Sequence, residues 1–161
     1  MEDRHLKFHE TWDNLPPSPA PEEDEPAAPD PAPAVSAQAS AADTTFALIQ
    51  ETRSSAGVAA LQRHSGADSV AQSWAERMAA DGSLRHNPDF ASQLWNAVGS
   101  GAVAENVGQI RPADPAEMHQ LFLNSPNHRA NIVGAFTYVG VGAAQDADGA
   151  LWVVHNFVEP N

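Results

Sequence analysis

Two histidines and one glutamate are the residues of this chain whose types are best suited to chemistry. His86 lies in the segment Leu-Arg-His-Asn, Glu105 opens the segment Glu-Asn-Val-Gly, and His128 lies in Ser-Pro-Asn-His-Arg-Ala-Asn-Ile. Imidazole and carboxylate groups either bind a divalent metal together or share a proton near neutral pH. The three residues form one site only if the fold brings their segments together.

Two neutral imidazoles and one carboxylate are a sufficient ligand set for Zn²⁺, with the fourth position open to water. The spacing neither supports nor excludes such a site, because the ligands would come from three distant loops. The alternative is a hydrogen-bonded polar cluster that pins the loops, with Glu105 paired to Arg129 or to a protonated histidine. We therefore predict His86, Glu105 and His128 as ligand-binding residues and candidate metal ligands, with zinc as a non-obligatory cofactor.

Nucleophilic catalysis has less support, and no catalytic residue is predicted. The chain has no cysteine and no Gly-x-Ser-x-Gly segment. Ser125 lies three residues before His128, but Ser-Pro at the start of a helix is typical of an N-cap. His64 and His119 fit no constellation and are expected at the surface. His155 alternates within a strand-like run and is expected to be buried and hydrogen-bonded.

Length and charge exclude several classes of protein. The 161 residues have room for one domain with a modest core. The net charge is −13 and the sequence has no basic run, which argues against binding to nucleic acid. The absence of cysteine excludes a disulfide framework, and no apolar run approaches membrane-spanning length. The N-terminus lacks the basic start and apolar run of a secretory signal.

The N-terminal quarter has a composition of its own. Eight of the thirteen prolines fall in residues 16–33, and residues 1–43 hold ten acidic and two basic residues. Such a segment buries too little apolar surface to offset its backbone entropy. We predict a disordered acidic tail over residues 1–43 and a domain over residues 44–161. A solvated linker is the preferred interpretation of the tail; a spacer or an acidic interaction tail is the alternative.

Apolar spacing and capping residues predict five helices. The first begins at the N-cap Asp43 and ends at Gly57, and the fourth begins with the cap Asp114 followed by a proline. The predicted helical ranges are 43–57, 67–80, 89–97, 115–124 and a short helix that begins at Ser125-Pro126 and runs through Ile132.

Strand-like runs cover residues 102–110, 138–145 and 150–158, and Asp-Ala-Asp-Gly is a strong turn signal between the last two. Both alternating sets of the last strand are mostly apolar, so both faces of the sheet should be covered. The expected class is therefore α+β, with helices on both sides of a small, mainly antiparallel sheet.

The ordered set of segments resembles the CAP or SCP-like superfamily (cysteine-rich secretory proteins, antigen 5 and pathogenesis-related-1 proteins), in its cysteine-free bacterial branch. The resemblance runs from about Thr45 to Val158 and includes Tyr-Val-Gly-Val-Gly and Trp-Val-Val-His-Asn-Phe near the end. It implies the three-layer α-β-α sandwich of the CAP fold. It also implies that His86, Glu105 and His128 are the cleft residues of the family.

One departure from the family pattern concerns a second glutamate that completes a tetrad in the larger eukaryotic members. It lies three residues after a helix tryptophan. Phe122 stands at the position of that tryptophan, which puts Ser125 where the glutamate would be. The incomplete tetrad counts against catalysis more than against the fold.

The preferred functional hypothesis is a non-enzymatic extracytoplasmic module that binds a small ligand, lipid-like or metal-assisted, or a cell-surface partner at the His/Glu cleft. The alternatives are a weak metal-dependent hydrolase that uses a water held by two histidines and one glutamate, and a spacer protein with a vestigial cleft. The resemblance implies an extracellular or cell-envelope location. A cytoplasmic location stays open because the N-terminus lacks a secretory signal.

Overall fold

The computed structural model describes the backbone of residues 7–8 and 32–161 and the side chains from residue 40 onward. In chain order, the elements are β1 (Lys7–Phe8), α1 (Ala32–Ser55), β2 (Gln62–Arg63), α2 (Ser65–Asp81), α3 (Phe90–Ala97), β3 (Gly101–Ile110), α4 (Pro115–Asn124), α5 (Pro126–Ile132), β4 (Tyr138–Gln145) and β5 (Leu151–Pro160).

The strands form one sheet in the order β1-β3-β5-β4-β2. The three long strands, β3, β5 and β4, pair antiparallel, and only the two-residue β2 pairs parallel, to β4. The register places Glu105 opposite Asn156 and Asn106 opposite His155. The predicted small, mainly antiparallel sheet is confirmed.

Helices cover both faces of the sheet. The side chains of β5 alternate between them, so that Trp152 and Val154 pack with α2, whereas Val153 and Phe157 pack with α1 and α4. The helix α3 lies on the α2 side, where Leu94 contacts the end of β5. This arrangement is the predicted three-layer α-β-α sandwich, and it explains why both alternating sets of β5 are apolar.

Local signals account for several of the element boundaries. The carboxylate of Asp114 accepts a hydrogen bond from the backbone N–H of Glu117 at 3.0 Å, and a proline follows at the first helical position of α4. The helix α2 ends at Asp81 and is capped by Gly82, whose φ of 65° is a left-handed conformation that favours glycine. The predicted helices α4 and α5 and the turn between β4 and β5 are confirmed.

The predicted start of the first helix at Asp43 is wrong, because α1 already begins at Ala32. Six of residues 32–42 are alanine, the strongest helix former, and the one proline in this stretch is the second residue of the helix, where it is tolerated. Ala42 is buried in the core, so packing also holds this part of the helix. The rest of the predicted tail, residues 1–6 and 9–31, lies outside the described residues.

Among the helices of the described residues, none is both long and apolar enough to cross a bilayer.

Candidate functional site

His86 and Glu105 meet on the face of the sheet that α2 and α3 cover. His86 lies in the loop between those helices, Glu105 lies on β3, and the imidazole Nδ1 is 2.9 Å from the carboxylate Oε1. The backbone N–H of Asn87 donates to the same oxygen at 2.9 Å. The Glu105 side chain is 1 % exposed and the His86 side chain 10 % exposed, so the carboxylate is buried beneath the ring.

The second oxygen of the carboxylate faces Asn156, its neighbour across the sheet. With the amide oriented nitrogen-first, Asn156 donates to Oε2 of Glu105 at 3.2 Å. Burial raises the pKa of the Glu105 carboxyl, and the hydrogen bonds from His86 and Asn87 oppose that rise. The site is therefore a buried carboxylate whose charged form is stabilised by hydrogen bonds from its polar neighbours.

The loop that carries His86 is fixed from both sides. The indole Nε1 of Trp74 on α2 donates to the carbonyl of Arg85 at 2.9 Å, and the Arg85 guanidinium lies 4.8 Å from the Trp74 ring centroid. On the other side, the Asn87 amide donates to Gln93 of α3 at 2.8 Å. These contacts give the imidazole one position relative to β3.

His128 lies on the opposite face of the sheet. Glu105 and Asn106 are successive residues of one strand, so their side chains point to opposite faces. The Asn106 amide donates to the backbone carbonyl of His128 at 3.2 Å, and the His128 ring packs edge-on against Phe122 of α4 at 5.2 Å. The structure brings His86 and Glu105 together and places His128 across the sheet from them.

The donor set does not fit a metal ion. With His128 on the other face, His86 and Glu105 supply two ligands, one fewer than the three protein ligands of a catalytic zinc site. Within residues 40–161, the structure contains no group of three or more histidine, cysteine, aspartate or glutamate side chains placed to hold a metal.

The face that carries His128 holds a second buried polar group, centred on Asn106. The side-chain oxygen Oδ1 of Asn106 accepts a hydrogen bond from the side-chain amide of Asn131 at 2.9 Å. The side-chain nitrogen Nδ2 of Asn106 lies 3.3 Å from Nδ1 of His155. The ring of His155 is fully buried against Phe122, as predicted for this histidine. Burial lowers the pKa of His155 well below its ordinary value, and His119 and His128 lower it further, so the ring is neutral at pH 7.

The predictions for the two remaining domain histidines need correction. His119, expected at the surface, is 3 % exposed, and its Nε2 lies 2.7 Å from the hydroxyl of Thr52 on α1. Helical spacing could have identified it, because Phe122, three residues on, is a core residue of the same helix. His64 is half-buried and caps α2, since its Nδ1 accepts from the backbone N–H of Gly66 at 3.0 Å.

Solved structures show the same fold at low sequence identity. An outer surface protein from Borrelia burgdorferi superposes with a TM-score of 0.67 at 15 % identity, over 76 % of this chain and 94 % of that one. An extracellular SCP-domain protein from Bacillus anthracis gives 0.68 at 22 %, over 82 % of this chain and 44 % of that one. A venom allergen-like protein from Schistosoma mansoni gives 0.61 at 10 %, over 75 % and 89 %.

Sequence comparison supplies the family. No sequence among curated proteins is significantly similar to this chain. The sequence model of the cysteine-rich secretory protein family matches residues 46–157, which extend from within α1 into β5 and include both His86 and Glu105. The chain therefore belongs to the cysteine-rich secretory protein family.

Proposed function

We propose that this chain is a non-enzymatic extracytoplasmic module that binds a small polar ligand, or a polar group of a partner, at the His86–Glu105 pair. The observation that carries the proposal is the buried carboxylate beneath a histidine whose side chain keeps 10 % of its surface exposed. The location is supported by relatives that are described as outer surface and extracellular proteins.

A polar pair at this position is unfavourable for packing alone. Taking a carboxylate out of water costs several kcal/mol, and replacing a buried ion pair by apolar residues of similar volume is often neutral or stabilising. Glu105 is nevertheless held by three donors, from His86, Asn87 and Asn156. A carboxylate with a perturbed pKa beside a partly exposed imidazole is typical of a binding or reactive site.

The geometry favours a hydrogen-bonding ligand over a metal-assisted one. Glu105 contacts Nδ1 of His86 and so orients the ring and favours a proton on Nδ1. The hydrolase alternative requires a metal-bound water between two histidines, and the second histidine lies across the sheet. No observation favours that alternative.

The test for ligand binding is an NMR screen of the full chain against a panel of small carboxylates, amides and alcohols. We expect shift changes centred on His86, Asn87 and Glu105, lost in His86→Ala and weakened in Glu105→Gln. The matched control is His64→Asn, which removes a histidine elsewhere but keeps a residue suited to capping α2. Compounds whose shifts persist in His86→Ala, or a panel with no shift at this pair, would contradict the proposal.

Zinc titration by calorimetry tests the metal alternative separately. We expect no stoichiometric uptake that depends on both His86 and His128. One-to-one zinc binding that is abolished by His86→Ala and also by His128→Ala would mean that the three residues converge after all.

A further inference from the structure

A cavity lies on the face of the sheet opposite His86. It opens between α1 and α4, beside the start of α5, and has a volume of about 340 Å³. This volume is at the small end of the range for ligand pockets. The residues that define its floor, rim and walls are Thr52, His119, Glu51, Arg129, Leu48 and Leu123.

The floor of the cavity is polar but uncharged. His119 Nε2 lies 2.7 Å from the Thr52 hydroxyl, and its Nδ1 is buried without a hydrogen-bond partner in the described part of the chain. Burial lowers the pKa of His119, opposed in part by Glu51, so the ring is neutral at pH 7. The floor therefore adds no charge to the site.

The rim carries one charge of each sign. Glu51 on α1 and Arg129 on α5 are both exposed, and within residues 40–161 neither side chain makes a hydrogen bond or an ion pair, with each other or with a third residue. Unpaired exposed charges are ordinary; what distinguishes these two is that they border one cavity from different helices. A simple anion at this place would be repelled by Glu51, and a simple cation by Arg129.

We propose that the cavity between α1 and α4 binds a small zwitterion, of the class of an α-amino acid with an apolar side chain. Its ammonium group pairs with Glu51 and its carboxylate with Arg129, which suits the bidentate geometry of a guanidinium. Its side chain packs between Leu48 and Leu123. This inference is independent of the His86–Glu105 pair, which lies on the other face.

The probe for the test is L-leucine, titrated into the full chain and followed by NMR. We expect saturable shifts at Thr52, His119 and Arg129. N-acetylleucine lacks the ammonium group and leucine amide lacks the carboxylate, so each should bind at least about tenfold more weakly, as expected for one lost charge-assisted hydrogen bond. Absence of saturable shifts with leucine, or equal binding of all three compounds, would overturn the proposal.

Two charge-neutralising variants test the residues themselves. Arg129→Gln and Glu51→Gln should each weaken leucine binding at least about tenfold. Both side chains are exposed, so both variants should keep the thermal midpoint of the parent. Arg111→Gln, which removes an exposed arginine outside the cavity, is the matched control and should bind leucine as the parent does. Unchanged leucine binding in folded Arg129→Gln or Glu51→Gln would overturn the assignment.

Discussion

At the scale of single residues, the position of Glu105 and Asn106 as neighbours on one strand determines which histidine each of them contacts. The carboxylate points to the face that holds His86, and the amide points to the face that holds His128. The sequence identified His86, Glu105 and His128 as residues that could bind a ligand or a metal. The predicted strand over residues 102–110 already implied that Glu105 and Asn106 point to opposite faces. Which loop packs on which face depends on contacts between distant segments, so the sequence alone did not separate His128 from the other two.

Arg53 is a second residue whose role the structure reveals. Its side chain is buried, and its guanidinium donates to the backbone carbonyls of Ala59, Ile132 and Gly134 at 2.7, 2.9 and 2.7 Å. No carboxylate of the described residues pairs with it, and burial lowers its pKa. The guanidinium therefore joins the ends of α1 and α5 through carbonyl oxygens alone.

We predict that Arg53→Met lowers the free energy of unfolding by at least about 2 kcal/mol, because buried carbonyls lose their donor while the apolar volume is kept. Arg53→Lys should cost less, since an ammonium group still reaches one or two of them. Urea unfolding measures both. The control Arg111→Met, at an exposed arginine, should stay within about 0.5 kcal/mol of the parent. Equal losses for Arg53→Met and Arg111→Met would refute this role.

At the scale of elements, helices with strong local signals were predictable and the start of α1 was not. The proline after Asp114, Gly82 and the Asp-Ala-Asp-Gly turn act within a few residues of themselves, so each fixed a boundary from the sequence. The alanine-rich stretch before Asp43 has high helix propensity but no apolar periodicity. The sequence did not reveal that Ala42 contacts the core. That contact matters because packing rather than propensity supplies most helix stability.

The helix α2 packs closely against the strand β4. The backbone N–H of Val141 donates to Asp68 at 2.9 Å, and the Gln72 amide both donates to and accepts from the backbone of Ala143, at 2.9 and 3.0 Å. Side chains of α2 thus satisfy polar groups of β4 beyond the short β2. This close approach requires glycine on the strand.

We predict that Gly142→Ala destabilises the domain by about 1–3 kcal/mol, as expected for overpacking. A Cβ at Gly142 would lie 2.3 Å from the backbone carbonyl carbon of Ala71, where no flexible side chain can yield. Hydrogen exchange should show faster exchange at the amides of Val141 and Ala143. Unchanged stability together with unchanged protection of these two amides would mean that α2 is not in tight contact with β4.

At the scale of the whole molecule, buried histidines link stability to pH. His119 and His155 both have a pKa lowered by burial in the folded state, so the unfolded chain binds more protons below the ordinary histidine value of about 6.5. The stabilisation that these two neutral rings give the folded state is therefore present above that pH, and the free energy of unfolding decreases as the pH falls below it. The pKa of Glu105 is raised and acts in the opposite direction, as the folded carboxyl is protonated before the unfolded one.

We predict that the free energy of unfolding is largest near neutral pH and falls between about pH 6.5 and 5, because two histidines outweigh one carboxyl. Each fully shifted group contributes up to about 1.4 kcal/mol per pH unit. Urea unfolding at a series of pH values measures the slope, and His119→Gln should reduce it. Stability that rises as the pH falls through this window would show that the histidines are not the dominant titrating groups.

The central claim is that Glu105 belongs with His86 and not with His128, and a double-mutant cycle tests it most directly. Urea unfolding is measured for Glu105→Gln, His86→Ala, His128→Ala and the two double variants that contain Glu105→Gln. The account predicts a coupling energy of about 1–3 kcal/mol between Glu105 and His86, and additivity within about 0.5 kcal/mol between Glu105 and His128. Strong coupling of Glu105 to His128, or none to His86, would contradict it.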